Sequence, residues 1–548
     1  MSLRTRRLGS LVACAGAVGW VASCGQADSA APSSADGAVG SSSGSGSSTP
    51  PVPPSALPEG GVSTPPDAGP VLRLVSPSAA ETPWARESEH AVLWGDVPTQ
   101  KYARNPFSSA RSVTISYSLD EGATWTSVPR HDRETGRLMV DEVARRARIT
   151  VPATGGTTIR VRVTAGHHQV DSRSIPLIPS QKRKYSFVRV TEQLPIRPRD
   201  GACGLVHDGA MWLLGGWNPD NPLAYPAITA NDVWRSTDAS TWQLIKPNTF
   251  YDPATFDSSS DWSGRHTMGC VTHAGKMFIV GGDGVHTPTR DVWSSTDGVA
   301  WTRVSANTNY PARVLQPVFS FQDKLWVVSG QTFFSEFTLA YPDVWSSQNG
   351  ATWTRVPTEG PLWAPRGMIF GPAVFKGRMW LVSGGLYDEP SRPERVQYDD
   401  VWSSADGVNW RRDLEHTPFI PRHMLNVDVF DDRLWVLGGA SNEQVLGQTS
   451  NLRDVFYTAD GSNWYELVTP PGYIGRHAAS TWQFRDALYL GLGNTENEDL
   501  PSLGDSEDAG ADDGGAAEAG LADSEVDAGP VVPVDRWIAD MWKISVEP

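Results

Sequence analysis

The 548-residue sequence predicts an all-β protein: a small sandwich followed by six equivalent four-stranded sheets closed into a ring. Three observations carry that expectation. First, a short segment recurs: DVWRSTDASTWQLI from Asp232, DVWSSTDGVAWTRV from Asp291, DVWSSQNGATWTRV from Asp343, DVWSSADGVNWRRDL from Asp400 and DVFYTADGSNWYEL from Asp454, with DMWKISVEP beginning a sixth copy at Asp540. Two apolar stretches around an Asp-Gly turn are the strongest short-range hairpin signal. Second, each copy is preceded by an apolar run ending in small residues: MWLLGG from Met211, MFIVGG from Met277, LWVVSG from Leu325, MWLVSGG from Met379, LWVLGG from Leu434 and LYLGLG from Leu488. Four or five unbroken apolar residues predict a strand covered on both faces. Third, the aromatics Trp234, Trp293, Trp345, Trp402 and Phe456 follow one another at intervals of 52 to 59 residues.

Four strands per repeat at a period near 50 residues is the signature of a β-propeller, here with six blades. The sixth copy lacks a last strand, but an unassigned one, YSFVRV (Tyr185 to Val190), precedes the first repeat and has the shape of the ATWTRV strands. It can complete the final blade and leave no free sheet edge. The paired glycines, the spaced Trp and an Arg at each repeat start resemble kelch repeats, and residues 184–548 resemble the kelch and galactose oxidase class of propellers. That resemblance speaks for fold far more than for function.

Ahead of the ring, residues 1–23 read as an export signal, with Arg4, Arg6 and Arg7 before an apolar run too short to span a membrane comfortably. Val21-Ala22-Ser23-Cys24 resembles a bacterial lipobox, which implies a lipid on Cys24 and, with Gly25 following it, an outer-membrane destination. Residues 24–70 are Ser, Gly, Pro and Ala with little apolar bulk, which predicts a disordered tether spanning roughly 35–40 Å as a flexible coil. Residues 71–180 predict an immunoglobulin-like sandwich: SVTISY from Ser112 and TIRVRVTA from Thr158 alternate with period two. Between them SLDEGATW (Ser118 to Trp125) matches the Asp-box pattern, a structural staple to which no chemistry is assigned. Lys182 to Lys184 form the joint to the propeller at residues 181–548. The last blade is interrupted by an insert, 494–534, with twelve acidic residues and no Lys or Arg, and it supplies most of the net charge of −16.

That charge argues against a nucleic-acid partner, which would call for a basic excess. Two of the four cysteines belong to the signal region. Cys203 and Cys270 fall on the innermost strands of the first two blades with opposite parity, so one side chain points forward and the other back. A disulfide between blades is one outcome, permitted by export; two buried free thiols are the other.

Loop lengths select the binding face. The turns HDGA, HAGK, FQDK, FKGR, FDDR and FRDA between first and second strands are short, as are those between third and fourth. Every long connection therefore emerges on the opposite face: 217–230, opened by Trp217, then 249–264, 331–342, 386–397, 440–452 and the acidic insert. Each innermost strand on that face begins with an arginine: Arg199, Arg265, Arg313, Arg366, Arg422 and Arg476. Three positions earlier stand Trp262, Tyr310, Trp363, Phe419 and Tyr473 in five of the six repeats. Sixfold repetition predicts a ring of guanidinium groups near the mouth, able to grip carboxylates, with aromatics that stack on sugars or on Arg. The kelch resemblance implies the same use, since arginines at this repeat position grip acidic peptides in similar domains. Alternatively each Arg bonds loop carbonyls and each aromatic packs its own loop. The acidic insert, leaving from the same face, is expected to compete for such a ring.

His266, His423 and His477 follow three of those arginines, but strand parity turns them between blades, so no metal is assigned, and no cofactor motif stands out. The leading expectation is a lipid-anchored, non-catalytic binding protein of the bacterial cell envelope whose long-loop face engages a glycan or an acidic protein segment. The alternative is a carbohydrate-active or galactose oxidase-like enzyme with a dispersed loop site. The oxidase likeness would require a copper-ligating Tyr crosslinked to a Cys, and no such pair is identifiable here.

Overall fold

The computed structural model describes residues 72–547 except 79–81, 96–112, 133–137, 143, 219–228, 253, 285–287, 333–338, 368, 372, 387–395, 442–450 and 496–537. The export signal, Cys24, the tether and all but the first two residues of the acidic insert lie outside the described residues. Every regular element among those residues is a β-strand. The protein is all-β.

The N-terminal part pairs two sheets around a core of Trp84, Val92, Trp94, Ile115, Ile149, Val161 and Val163. The strand Thr158–Ala165 alternates between half-exposed and buried along its eight residues, as its period-two sequence predicts. It lies between Val113–Ser118 and Ile175–Ile178 in one sheet, and Glu89–Gly95 pairs with Arg146–Thr150 in the other.

Six antiparallel four-stranded units follow. Unit 1 runs Cys203–His207, Ala210–Trp217, Thr229–Ser236 and Gln243–Lys246. Units 2, 3 and 5 repeat that order from Gly269–His273, Val318–Phe321 and Leu425–Phe430. The first strand of unit 4 is broken: Val374–Phe375 stays with its own sheet, while Ile369–Phe370 pairs in parallel with Leu425 and Asn426 of unit 5. Gly371 sits at the break with φ 90°, and a Cβ there would lie 2.0 Å from the carbonyl oxygen of Val427. Unit 6 is built from both ends of the chain region: Tyr185–Thr191 pairs with Met541–Val546, which pairs with Ala487–Gly491 and then Ser480–Phe484.

The hairpin between third and fourth strands owes its shape to side chains. In unit 2 the hydroxyl of Ser295 accepts from Gly298 N, Asp297 Oδ1 accepts from Val299 N and Ala300 N, and Trp301 Nε1 donates to Gly298 O. The same bonds recur around Asp238, Asn349, Asp406 and Asp460. They match the fold-back of Asp120 and Trp125 in the sandwich. The pattern identified at Ser118 to Trp125 is thus the turn of five further units. These turns also key neighbours together, since a Cβ on Gly298, Gly407 or Gly461 would meet the ring of Trp212, Trp326 or Trp380 of the preceding unit at 2.2–2.4 Å.

Backbone bonds join the units in cyclic order. Gly216 N donates to Arg265 O, Gly282 to Arg313, Gly330 to Arg366, Gly384 to Arg422, Gly439 to Arg476, and Gly493 back to Arg199, at 2.8–3.4 Å. The donor is glycine each time because its φ is 82–110°, a region other residues rarely adopt. Cys203 and Cys270 are joined in a disulfide between units 1 and 2.

The sandwich is tied to unit 5 and to the neighbouring end of unit 4. Glu89 pairs across the sheet with Trp464 on the outer strand of that unit. Arg148 bridges Glu89 at 3.2 Å and Glu466 at 3.0 Å, and Arg146 reaches Asp399 at 2.7 Å and the Phe419 carbonyl at 2.7 Å. The joint itself is fixed, because Tyr465 Oη accepts from Gln181 N at 2.9 Å while Tyr457 Oη accepts from Arg183 N and donates to Arg183 O.

Candidate functional site

The six repeat arginines are engaged inside the fold. Arg199, Arg265, Arg313, Arg366, Arg422 and Arg476 are all buried. Each forms a two-pronged ion pair with the Asp that opens the recurring segment of its own unit: Asp232, Asp291, Asp343, Asp400, Asp454 and Asp540. The shorter prong measures 2.5–2.6 Å and the longer 2.9–3.2 Å. A third bond from each guanidinium goes to a carbonyl at the end of the second strand, such as Gly215 O or Ser329 O. In five units the Trp two residues after the Asp donates to the same carboxylate at 2.7–2.8 Å. That accounts for the D-x-W spacing. Burial would raise the Asp291 carboxyl, and the charge and hydrogen bonds of Arg265 more than offset it and hold it below the usual carboxylate range.

The expected ring of open guanidinium groups is therefore replaced by six internal clamps, and the acidic insert has no such ring to compete for. Three of the five aromatics belong to the same clamps. Trp262, Tyr310, Trp363, Phe419 and Tyr473 are buried, and Arg313, Arg422 and Arg476 stack over Tyr310, Phe419 and Tyr473 at 4.8–5.1 Å. Burial pushes the Tyr473 hydroxyl up to about 12.

A different set of side chains gathers at that end of the strands. The residue after each arginine bridges to the residue after the glycine whose amide joins its unit to the next: Asp200 with Trp217, His266 with Asp283, Val314 with Gln331, Gly367 with Gly385, His423 with Ala440 and His477 with Asn494. These bridges form a polar belt where the long connections leave the sheets. Within it His266 Nδ1 lies 3.6 Å from Asp283 Oδ2, and Asn494 Nδ2 donates to Asp200 Oδ2 at 3.3 Å. His477 Nδ1 meets Asn451 Oδ1 at 2.7 Å, His423 Nδ1 meets Gln397, and Ser441 donates to Gln397 Oε1 at 3.2 Å. Trp217 stacks on His266 with ring centroids 5.8 Å apart. The connections 219–228, 333–338, 387–395 and 442–450 fall outside the described residues. The 249–264 loop projects Tyr251, 58% exposed, while Phe250 packs edge-on against Phe256.

Gly201, Thr267, Leu315, Met424 and Ala478 occupy equivalent positions two residues after their arginines, with φ 49–56°. Non-glycine residues seldom adopt that conformation. Here it turns each amide toward a neighbouring unit: Leu315 N donates to Thr267 O, Thr267 N to Gly201 O, Gly201 N to Ala478 O and Ala478 N to Met424 O. Val314, Leu315, Met424 and Ala478 pack together as an apolar plug. Beyond it the first strands of all six units enclose a cavity of about 50 Å³, with the disulfide in its wall.

Among the described residues no group of three or more His, Cys, Asp and Glu is arranged to hold a metal ion. No family model matches the chain, and no curated protein matches it. The belt was visible in the sequence only as three histidines beside the repeat arginines. Its other members come from the far ends of the second strands and from loop ends, which register alone brings together.

Proposed function

We propose that residues 181–548 form a six-bladed, kelch-type β-propeller, similar to the galactose oxidase class, with an immunoglobulin-like domain seated on its fifth blade. We further propose that it is a non-catalytic binding protein held at the bacterial cell envelope, in the outer membrane, by a lipid on Cys24, and that its long-loop face takes a glycan. The observation that carries the reading is the polar belt: Asp200, Asp283, Asn451, Asn494 and the three histidines, mostly buried and paired with one another, stand at the strand ends from which the long connections leave. Carboxylate, amide and imidazole groups exchange hydrogen bonds with hydroxyls in both directions, and Trp217 supplies an aromatic face beside them. The glycan is favoured over an acidic protein segment because the arginines suited to carboxylates are clamped within their own blades.

A glycan array probed with the purified chain tests this. Binding to a glycan set, weakened tenfold or more by Trp217→Ala, which is about 1.4 kcal/mol, is the expected result. Absence of any glycan ligand, or full binding by that variant, would overturn it. Stoichiometric copper in the purified protein would point instead to the oxidase-type enzyme.

A further inference from the structure

The sandwich touches the propeller at two places beside the polar belt. At the first, the buried Arg146 pairs with Asp399 at 2.7 Å and donates to the carbonyls of Thr417 and Phe419, the latter at 2.7 Å. At the second, Leu138 and Ala144 of the sandwich pack on the buried Ile420 and Leu452. Asp399 lies just before the third strand of unit 4, Val401–Ser404, and Leu452 just before that of unit 5, Val455–Thr458. Both strand entries are thereby held from outside. The stretch Thr417 to Ile420, which leads into unit 5, is held at the same time.

Each held entry carries a belt residue. Gln397 stands two residues before Asp399; its Nε2 donates to His423 Nδ1 and to Ala440 O, and its Oε1 accepts from Ser441. Asn451 stands one residue before Leu452, and its Oδ1 accepts from His477 Nδ1 at 2.7 Å. The histidines are reached by a second route as well. Ile420 O accepts from Arg422 Nε at 3.2 Å, and His423 follows Arg422. Leu452 O accepts from Arg476 N at 3.3 Å, and His477 follows Arg476. The bond at one ring nitrogen decides where a neutral imidazole keeps its proton. Gln397 leaves the proton of His423 on Nε2, whereas Asn451 draws that of His477 to Nδ1. The two rings are thus held as opposite tautomers. His266, by contrast, meets Asp283 and Trp217 of units 2 and 1, across the cyclic order from the sandwich.

We propose that the sandwich is a positioning element of the ligand face: Arg146 and Leu138 hold Gln397 and Asn451 in register, and these set the orientation and tautomer of His423 and His477. Interiors packed at crystal-like density pass small displacements on. Hydrogen bonds weaken steeply when bent or stretched, so a slight shift at either strand entry is enough to release an imidazole. One ring kept as an Nε2 donor and the other as an Nε2 acceptor match a hydroxyl-bearing ligand, which both gives and takes a proton bond. That last step rests on the glycan reading above; the control of the two imidazoles by the sandwich does not.

The experiment reads the imidazole nitrogens of the full chain by NMR near neutral pH, with histidine isotopically labelled and signals assigned from single His→Gln variants. Wild type should show His423 protonated on Nε2 and His477 on Nδ1. Arg146→Ala should shift the His423 nitrogens toward a mixture of tautomers, and Leu138→Ala those of His477. Arg146→Lys, which can keep the pair with Asp399, should restore His423 in part. His266 should keep its signals throughout, which separates repositioning from general loosening. Both alanine variants should also bind the array's glycans fivefold or more weakly. Leu138→Ala only trims a half-buried side chain, and it serves as the test if Arg146→Ala fails to fold. Imidazole signals unchanged in the variants, or shifted together with those of His266, would overturn the proposal, and so would shifted signals with undiminished glycan affinity. The NMR arm needs no ligand, so it decides the positioning role even if no glycan binds, a result that would sink the glycan reading alone.

Discussion

Acid should loosen the protein first at the junction between the sandwich and unit 5, and His90 allows the effect to be sized. His90 is 4% exposed and stacks on Trp84 with ring centroids 4.0 Å apart and planes 7° from parallel. Its Nε2 meets Ser88 Oγ at 2.8 Å. The same corner rests on the turn of unit 5, where Asn463 Oδ1 accepts from Ala85 N at 2.6 Å. Burial pushes the imidazole down from 6.5 to about 3, with the Asn463 hydrogen bond acting more weakly in the opposite sense. A group whose folded value lies below its unfolded one stays neutral in the fold while the unfolded chain takes up a proton. Its contribution is therefore intact above pH 6.5 and is lost as pH falls from 6.5 toward 3. Each pH unit in that window is worth about 1.4 kcal/mol, so about 2 kcal/mol is gone at pH 5 and about 3.4 kcal/mol at pH 4. Urea unfolding at pH 7, 6, 5 and 4 and constant ionic strength measures this against His90→Gln, which carries no titrating group but can still bond Ser88. Carboxylates titrate alike in both proteins, so the difference between their curves isolates His90. The variant should start less stable at pH 7 and close the gap by about 2 kcal/mol at pH 5. Parallel curves would refute the reasoning.

Other outcomes follow from the same structure. Arg313→Ala leaves the Asp343 carboxylate in its clamp with the Trp345 indole but without a counter-charge and should cost about 3–5 kcal/mol by urea unfolding, whereas Arg313→Leu combined with Asp343→Leu should cost clearly less than the single change. Replacing Cys203 and Cys270 by Ser removes a crosslink spanning 67 residues, which chain entropy values at about 4 kcal/mol, read as a fall in melting temperature. His416 sits 3.2 Å from Asp399; burial lowers its value, but the Asp399 hydrogen bond and charge outweigh that and raise it overall. Its support is complete below pH 6.5 and fades above it, so His416→Gln should flatten the alkaline side of the stability profile. Tyr457→Phe removes two bonds to the joint and Tyr465→Phe one, at about 1 kcal/mol per bond, and both should make residues 179–184 exchange amide hydrogens faster.

The repeat was legible because each of its parts does a fixed job within one unit. The D-x-W spacing encodes one carboxylate shared by an arginine and an indole, and the second glycine encodes an amide that must reach the next unit. YSFVRV could be assigned to the last sheet from its likeness to the ATWTRV strands, and it pairs with Met541–Val546 there. What stayed hidden depends on partners distant in sequence. The arginines looked available because their aspartates stand 26–64 residues later, and a guanidinium that grips an acidic ligand has the same sequence as one that grips its own sheet. In sequence the other turns resemble plain Asp-Gly hairpins because only SLDEGATW keeps the full Asp-box spelling, whereas Ser295, Asp297 and Trp301 reproduce its bonds with fewer shared letters. The break in unit 4 had no signal beyond Gly371.

The clamps also bear on how binding can diversify on such a scaffold. If the arginines had lain open, ligand choice would have been tied to residues the fold requires, and any change of ligand would have risked the sheets. Here each repeated arginine and its aspartate are paired within their own unit, and the glycine amide beside them is taken up by a neighbour. The belt by contrast does not repeat: the residue following the arginine is Asp200, His266, Val314, Gly367, His423 and His477 in turn. Positions that vary from unit to unit, at the strand ends that carry the long connections, can change without disturbing the clamp one residue away. Under the proposed binding role, that variation is the physical reason to seek a ligand at these strand ends and not along the arginines.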